Sequence, residues 1–82
     1  MTLFEFQSLL QEEQIIILYQ QGVYIGKRKT DHLTKLLYQL QSFYVEVSYT
    51  AYRKNICKIR YSDSTSILEP YLDQIEVEYL ET

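Results

Sequence analysis

Tryptophan is absent from this 82-residue chain, and cysteine, proline and histidine each occur once. The single thiol, Cys57, cannot close an internal disulfide, which points to a reducing compartment, the cytoplasm. The two glycines, Gly22 and Gly26, form neither G-x-G-x-x-G nor a P-loop, so the common phosphate-cradling loops are excluded. The longest apolar run, Ile15 to Tyr19, has five residues, far below the ~18 needed to span a bilayer. Met1-Thr2-Leu3-Phe4-Glu5 has neither a basic n-region nor a small-residue cleavage site, and no secretory signal is expected.

Basic residues are missing from both ends. All eight lie between Lys27 and Arg60, opposed there only by Asp31 and Glu46, so that segment carries +6. The flanks hold the other nine carboxylates, −9 in all, and the net charge is −3. Such a distribution either pairs within the fold or leaves one basic and one acidic surface.

What is present is a 46% hydrophobic share and nine tyrosines, enough for one folded domain. A chain this short buries only roughly 60–65% of the surface its unfolded form exposes. Phe43-Tyr44-Val45-Glu46-Val47-Ser48-Tyr49 alternates and predicts the central strand: Phe43, Val45, Val47 and Tyr49 on one face, Tyr44, Glu46, Ser48 and Thr50 on the other. Val23 to Lys29, Leu33 to Leu40 and Ile56 to Tyr61 read as its partners. The first turn falls at Thr30-Asp31 or Asp31-His32, the second at Gln41-Ser42 and the third within Ala51 to Asn55. Connections this short join antiparallel neighbours, which predicts a four-stranded meander. On the fourth strand Cys57, Ile59 and Tyr61 share one face, and Ile56, Lys58 and Arg60 the other.

Thr2 and Glu5 form a capping box for a short helix over about 3–8, and Ser8 to Gln11 offers a weaker second one. Glu12 and Glu13 at its start, and Gly22 where a left-handed C′ residue belongs, favour a helix over about 11–21, separate from the first or continuous with it. Ser62 to Ser66 supplies N-cap residues for a last helix, with Ile67, Leu68, Tyr71, Leu72 and Ile75 as its apolar stripe. Pro70 places that helix's start near Ser66 or Ile67. From Ile75 to Leu80 the chain alternates like a strand, suited to a sheet edge, to another subunit or to fraying.

Leu37-Tyr38-Gln39-Leu40, Phe43-Tyr44-Val45-Glu46-Val47, Lys58-Ile59-Arg60 and Leu68-Glu69-Pro70-Tyr71-Leu72 together resemble a set of small bacterial proteins. These share a two-helix start, a Phe-Tyr-Val-Glu-Val strand and a Leu-Glu/Asp-Pro-Tyr-Leu helix. The resemblance covers most of residues 1–75 and implies a single domain. It carries no known activity with it.

Chemistry-bearing residues are few. His32 stands alone beside Asp31 and reads as a solvent-exposed turn residue. Cys57, on the face of Ile59 and Tyr61, reads as a small buried hydrophobe. Glu69 and Asp73, at i, i+4 on the last helix with Glu76 a turn further on, read as a solvated acidic face. Gly26 within a strand marks a bulge or close packing. No catalytic site, cofactor or metal is expected.

The sheet face opposite Val45 and Val47 stands out. It carries Tyr44, Glu46, Lys58 and Arg60, with Arg28 or the Lys27/Lys29 pair added by the first strand's register. The expected architecture is α+β: two N-terminal helices, a four-stranded antiparallel meander and a C-terminal helix. The helices cover the face of Phe43, Val45, Val47, Cys57, Ile59 and Tyr61. The expected function is non-catalytic, a protein-interaction or self-association domain, such as a homodimer, that uses Tyr44, Glu46, Lys58 and Arg60. The alternative is single-stranded nucleic-acid binding on the same basic, tyrosine-bearing face.

Overall fold

The computed structural model describes residues 1–30, 32–50 and 55–74. The expected turn residues 51–54 and the strand-like tail from Ile75 lie outside them. In chain order come helices α1 (Leu3–Gln7) and α2 (Gln11–Gln21), strands β1 (Val23–Thr30), β2 (Leu33–Leu40), β3 (Phe43–Thr50) and β4 (Asn55–Ser62), and a 3-10 helix, η1 (Thr65–Gln74). The strands form the expected antiparallel meander in the order β1-β2-β3-β4.

Local chemistry sets the helix ends. The Glu5 amide donates to Thr2 Oγ1 at 3.1 Å, and the Thr2 amide donates to the Glu5 carboxylate at 2.7 Å, which completes the expected capping box. Those bonds hold the Glu5 carboxyl below its usual pKa, the Thr2 backbone bond contributing most. Ser8 does not start α2. Its hydroxyl closes α1 by donating to the Glu5 carbonyl, and α2 begins after Leu10, whose amide donates to the Glu13 carboxylate. Gly22 ends α2 at φ −72°, not in the left-handed region. Close approach makes glycine fit there, because a Cβ would sit 2.6 Å from the Leu18 carbonyl oxygen.

α1 and α2 lie on the expected face, over Leu36 and Leu40 of β2 and Phe43, Val45, Val47 and Tyr49 of β3. Phe6 is the centre of that layer: fully buried, its ring 5.6 Å from Phe43 and 5.9 Å edge-on from Tyr61. Gln14, on α2, donates its side-chain amide to the Phe6 carbonyl at 2.8 Å and ties the two helices together in the interior.

Cys57 departs from expectation: it is exposed. Lys58 pairs with Ser48 while Ile56 pairs with Tyr49, so Cys57 is the extra residue of a β-bulge. Side chains alternate with period two, and one inserted residue therefore exchanges the faces beyond it. Ile56 joins Ile59 and Tyr61 beside the core in place of the cysteine. A second shift falls between Tyr24 and Gly26 on β1, in keeping with the bulge expected at Gly26.

The C-terminal element is a 3-10 helix, and it packs on the other face of the sheet. Ile67 and Tyr71 form a second cluster with Leu37, flanked by Ile25, Tyr44 and Leu68. Pro70 lies in mid-helix, where it lacks the amide hydrogen that an α-helix interior needs. With three residues per turn, Leu72 falls in the row of Glu69 rather than beside Tyr71, and both are exposed.

The β2–β3 loop contains only Gln41 and Ser42, and Gln41 has φ 56°. Left-handed backbone costs a non-glycine residue about 1–2 kcal/mol. Gln41→Gly is therefore expected to stabilise the fold by about 0.5–1 kcal/mol, after the extra freedom glycine gives the unfolded chain. A urea midpoint that rises with an unchanged slope would show it. A fall would mean that the contacts of the Gln41 side chain outweigh the strain.

Candidate functional site

Glu46 lies at the middle of β3, paired with Leu37 on one side and Arg60 on the other. It is expected on an open face, yet it is only 1% exposed. Three groups enclose it. The Tyr71 hydroxyl, from η1, donates to Glu46 Oε2 at 2.5 Å. Arg28 Nε lies 3.5 Å from the same oxygen, and an Arg60 guanidinium nitrogen lies 3.7 Å from Oε1. The Arg28 guanidinium carbon also sits 5.6 Å from the centre of the Tyr71 ring, within cation–π range. Two atoms of this cluster, Arg28 Nε and Glu46 Oε1, are buried without a hydrogen-bond partner among the described residues.

Burial, and then the Glu46 carboxylate as acceptor and as charge, raise the Tyr71 hydroxyl far above its ordinary pKa; Arg28 opposes the shift without cancelling it. The folded chain thus holds this proton more tightly than the unfolded one. The stability linked to it is complete below the ordinary tyrosine value of about 10 and is lost as pH rises from there towards the folded value. Urea midpoints measured at pH 8 and in the alkaline range are expected to fall more steeply for the parent than for Tyr71→Phe. Parallel slopes would mean that Tyr71 is solvated.

The register also assembles a cationic row. Arg28 pairs with Lys35, Lys35 with Ser48, and Ser48 with Lys58. Three cations from three strands thus line up across the sheet on the face of Glu46, with Arg60 in the adjacent row. Lys58 is exposed and the Arg60 side chain is 48% exposed, whereas Arg28 is turned inward to Glu46 and Tyr71.

Of the four predicted residues, then, Lys58 and Arg60 remain on accessible surface. Glu46 is enclosed, and Tyr44 is half-buried beside the cluster of Leu37, Ile67 and Tyr71. Sequence reasoning missed Lys35 and Tyr71. The signal for Lys35 was the two-residue loop Gln41-Ser42, because pairing Leu40 with Phe43 leads by counting to Lys35 with Ser48. Tyr71 gave no such signal, since its partner lies 25 residues away.

Other candidates do not converge. His32 is exposed, as expected of a turn residue. Glu69 and Asp73 are exposed, and a 3-10 helix does not bring i and i+4 onto one line. Among the described residues no three His, Cys, Asp or Glu side chains gather where they could hold a metal ion, and no helix is long and apolar enough to cross a membrane. What the site can do is attract anions: one enclosed carboxylate stands against four cations. Comparison with protein-family models, with curated proteins and with solved structures finds no match.

Proposed function

We propose that this chain is a small non-catalytic interaction domain whose cationic sheet face docks an acidic segment of a partner protein. One observation carries the reading: strand register sets Arg28, Lys35 and Lys58 in one row with Arg60 beside it. Glu46 offsets only part of that charge, and its position between two guanidiniums and a tyrosine hydroxyl fits a structural carboxylate better than an acid–base catalyst. The lone cysteine supports a reducing setting such as the cytoplasm.

Nucleic acid fits this face less well. Stacking bases needs an exposed aromatic, and Tyr44 is half-buried in the second cluster. Self-association has an observation of its own: Ile16, Tyr19, Val23 and Tyr24 are all more than half exposed. Edge-to-edge pairing of β4 with its own copy is disfavoured, because it would bring Lys58 and Arg60 against their equivalents.

A fluorescent hexaglutamate peptide and a labelled single-stranded oligonucleotide test these readings by anisotropy. The peptide is expected to bind at low salt, to weaken as salt rises, and to be lost in Lys58→Ala/Arg60→Ala, with the circular dichroism spectrum unchanged. Peptide binding that survives the double substitution, or none even at low salt, would remove this face as the docking surface. Binding of the oligonucleotide alone would move the assignment to nucleic acid.

A further inference from the structure

We infer that the partner's acidic segment presents its charge as a phosphoryl group on a side chain, and that this group seats over Ser48 between Lys35 and Lys58. The inference rests on the anion-docking reading of this face and names the chemistry of the ligand. The four cations of the face divide into two pairs. Arg28 and Arg60 lie 3.5 and 3.7 Å from the two oxygens of Glu46, and Arg28 also sits against the Tyr71 ring. That pair already has its anion. Among the described residues Lys35 and Lys58 have no ion pair, and the Ser48 hydroxyl has no hydrogen bond.

Strand register puts the two lysines directly beside Ser48, one on each side. Neighbouring strands are about 4.8 Å apart, so the flexible four-carbon stem of each lysine can bring its ammonium over the serine. Serine is the short residue of this row, and its hydroxyl can donate as well. Two residues along β3, Glu46 supplies a carboxylate to the cation opposite it, whereas at Ser48 the strand supplies no anion of its own. Arg28 also stands directly opposite Lys35, a like-charge pair that costs stability until an anion offsets it.

A phosphoryl group suits this arrangement better than a carboxylate does. It carries a charge of about −1.5 to −2 at neutral pH and three strong acceptor oxygens. Two ammoniums and a hydroxyl converging on one point are its matching donors, and lysine binds phosphate as a point charge. A carboxylate brings a single charge and two oxygens.

The test titrates the full chain by anisotropy with three fluorescent peptides: one phosphoserine among neutral residues, the same peptide with glutamate in its place, and hexaglutamate. At low salt the phosphopeptide is expected to bind about tenfold more tightly than its glutamate counterpart. It is expected to lose that binding in Lys35→Gln/Lys58→Gln. On the unsubstituted chain, the amide resonances of Lys35, Ser48 and Lys58 are expected to shift most when the phosphopeptide is added. Hexaglutamate binding, with the phosphopeptide no tighter than its glutamate counterpart, would overturn the phosphoryl seat and leave the acidic-segment reading standing. Phosphopeptide binding without hexaglutamate binding would support the seat and exclude a purely carboxylate partner. Amide shifts centred elsewhere, or binding that survives the double substitution, would overturn the location. Inorganic phosphate that binds as tightly as the phosphopeptide would overturn the assignment to a partner chain. No binding of any peptide would overturn both readings.

Discussion

Phe6→Ala is expected to cost about 4 kcal/mol, the largest loss of any single substitution considered for this chain. Phe6 is fully buried and packs on Phe43 and Tyr61, from two different strands. Its carbonyl also accepts the Gln14 side chain from α2, so the residue joins both helices to the sheet. Truncation removes the transfer free energy of the ring and leaves a cavity that the rigid sheet cannot close. The favourable tilted and edge-on ring geometry goes with it. A domain of this size has only about 4–12 kcal/mol of stability in total, so a sizeable unfolded fraction at 37 °C is expected. Urea denaturation followed by circular dichroism checks it. A cost under about 1.5 kcal/mol, the range of volume-conserving swaps, would mean that α1 is not firmly seated on the sheet.

Glu46→Ala comes second, at about 3 kcal/mol. The sign follows from what remains. Arg28 Nε stays buried, and the Tyr71 hydroxyl loses its acceptor. Removing one partner from a buried ion pair costs about 3–5 kcal/mol, and the lower end applies because Arg28 and Arg60 are 26% and 48% exposed and water screens them. Replacing the whole set by apolar groups removes the orphaned atoms as well. Glu46→Leu/Arg28→Leu/Tyr71→Phe is therefore expected to be more stable than Glu46→Ala alone. A triple variant less stable than Glu46→Ala would show that the cluster contributes net favourable energy. A cost below about 1 kcal/mol for Glu46→Ala itself would mean that Glu46 is open to water.

These two residues also mark how far the chain could be read without its structure. Phe6 stood at helical spacing between Leu3 and Leu10, and Thr2 with Glu5 marked its helix, because capping and amphipathic periodicity act over three or four residues. Glu46 was legible as a residue of the face opposite Val45 and Val47. Its burial was not, because that required η1 to fold back over it.

What this sequence determined by itself is the local part: the Thr2–Glu5 cap, the period-two strands, the short connections and hence the antiparallel meander. Each of these is decided by residues within a few positions of one another. Only the tertiary structure decided three further matters. The extra residue at Cys57 exchanged the faces of Ile56 and Cys57, and no strand-by-strand count shows where a bulge will relieve a register mismatch with the neighbouring strand. η1 took the second face of the sheet because Leu37 already supplied an apolar site there. Arg28, Lys35 and Lys58 became one cationic row only when three strands paired in register, since charges far apart in the chain meet through backbone hydrogen bonding between strands.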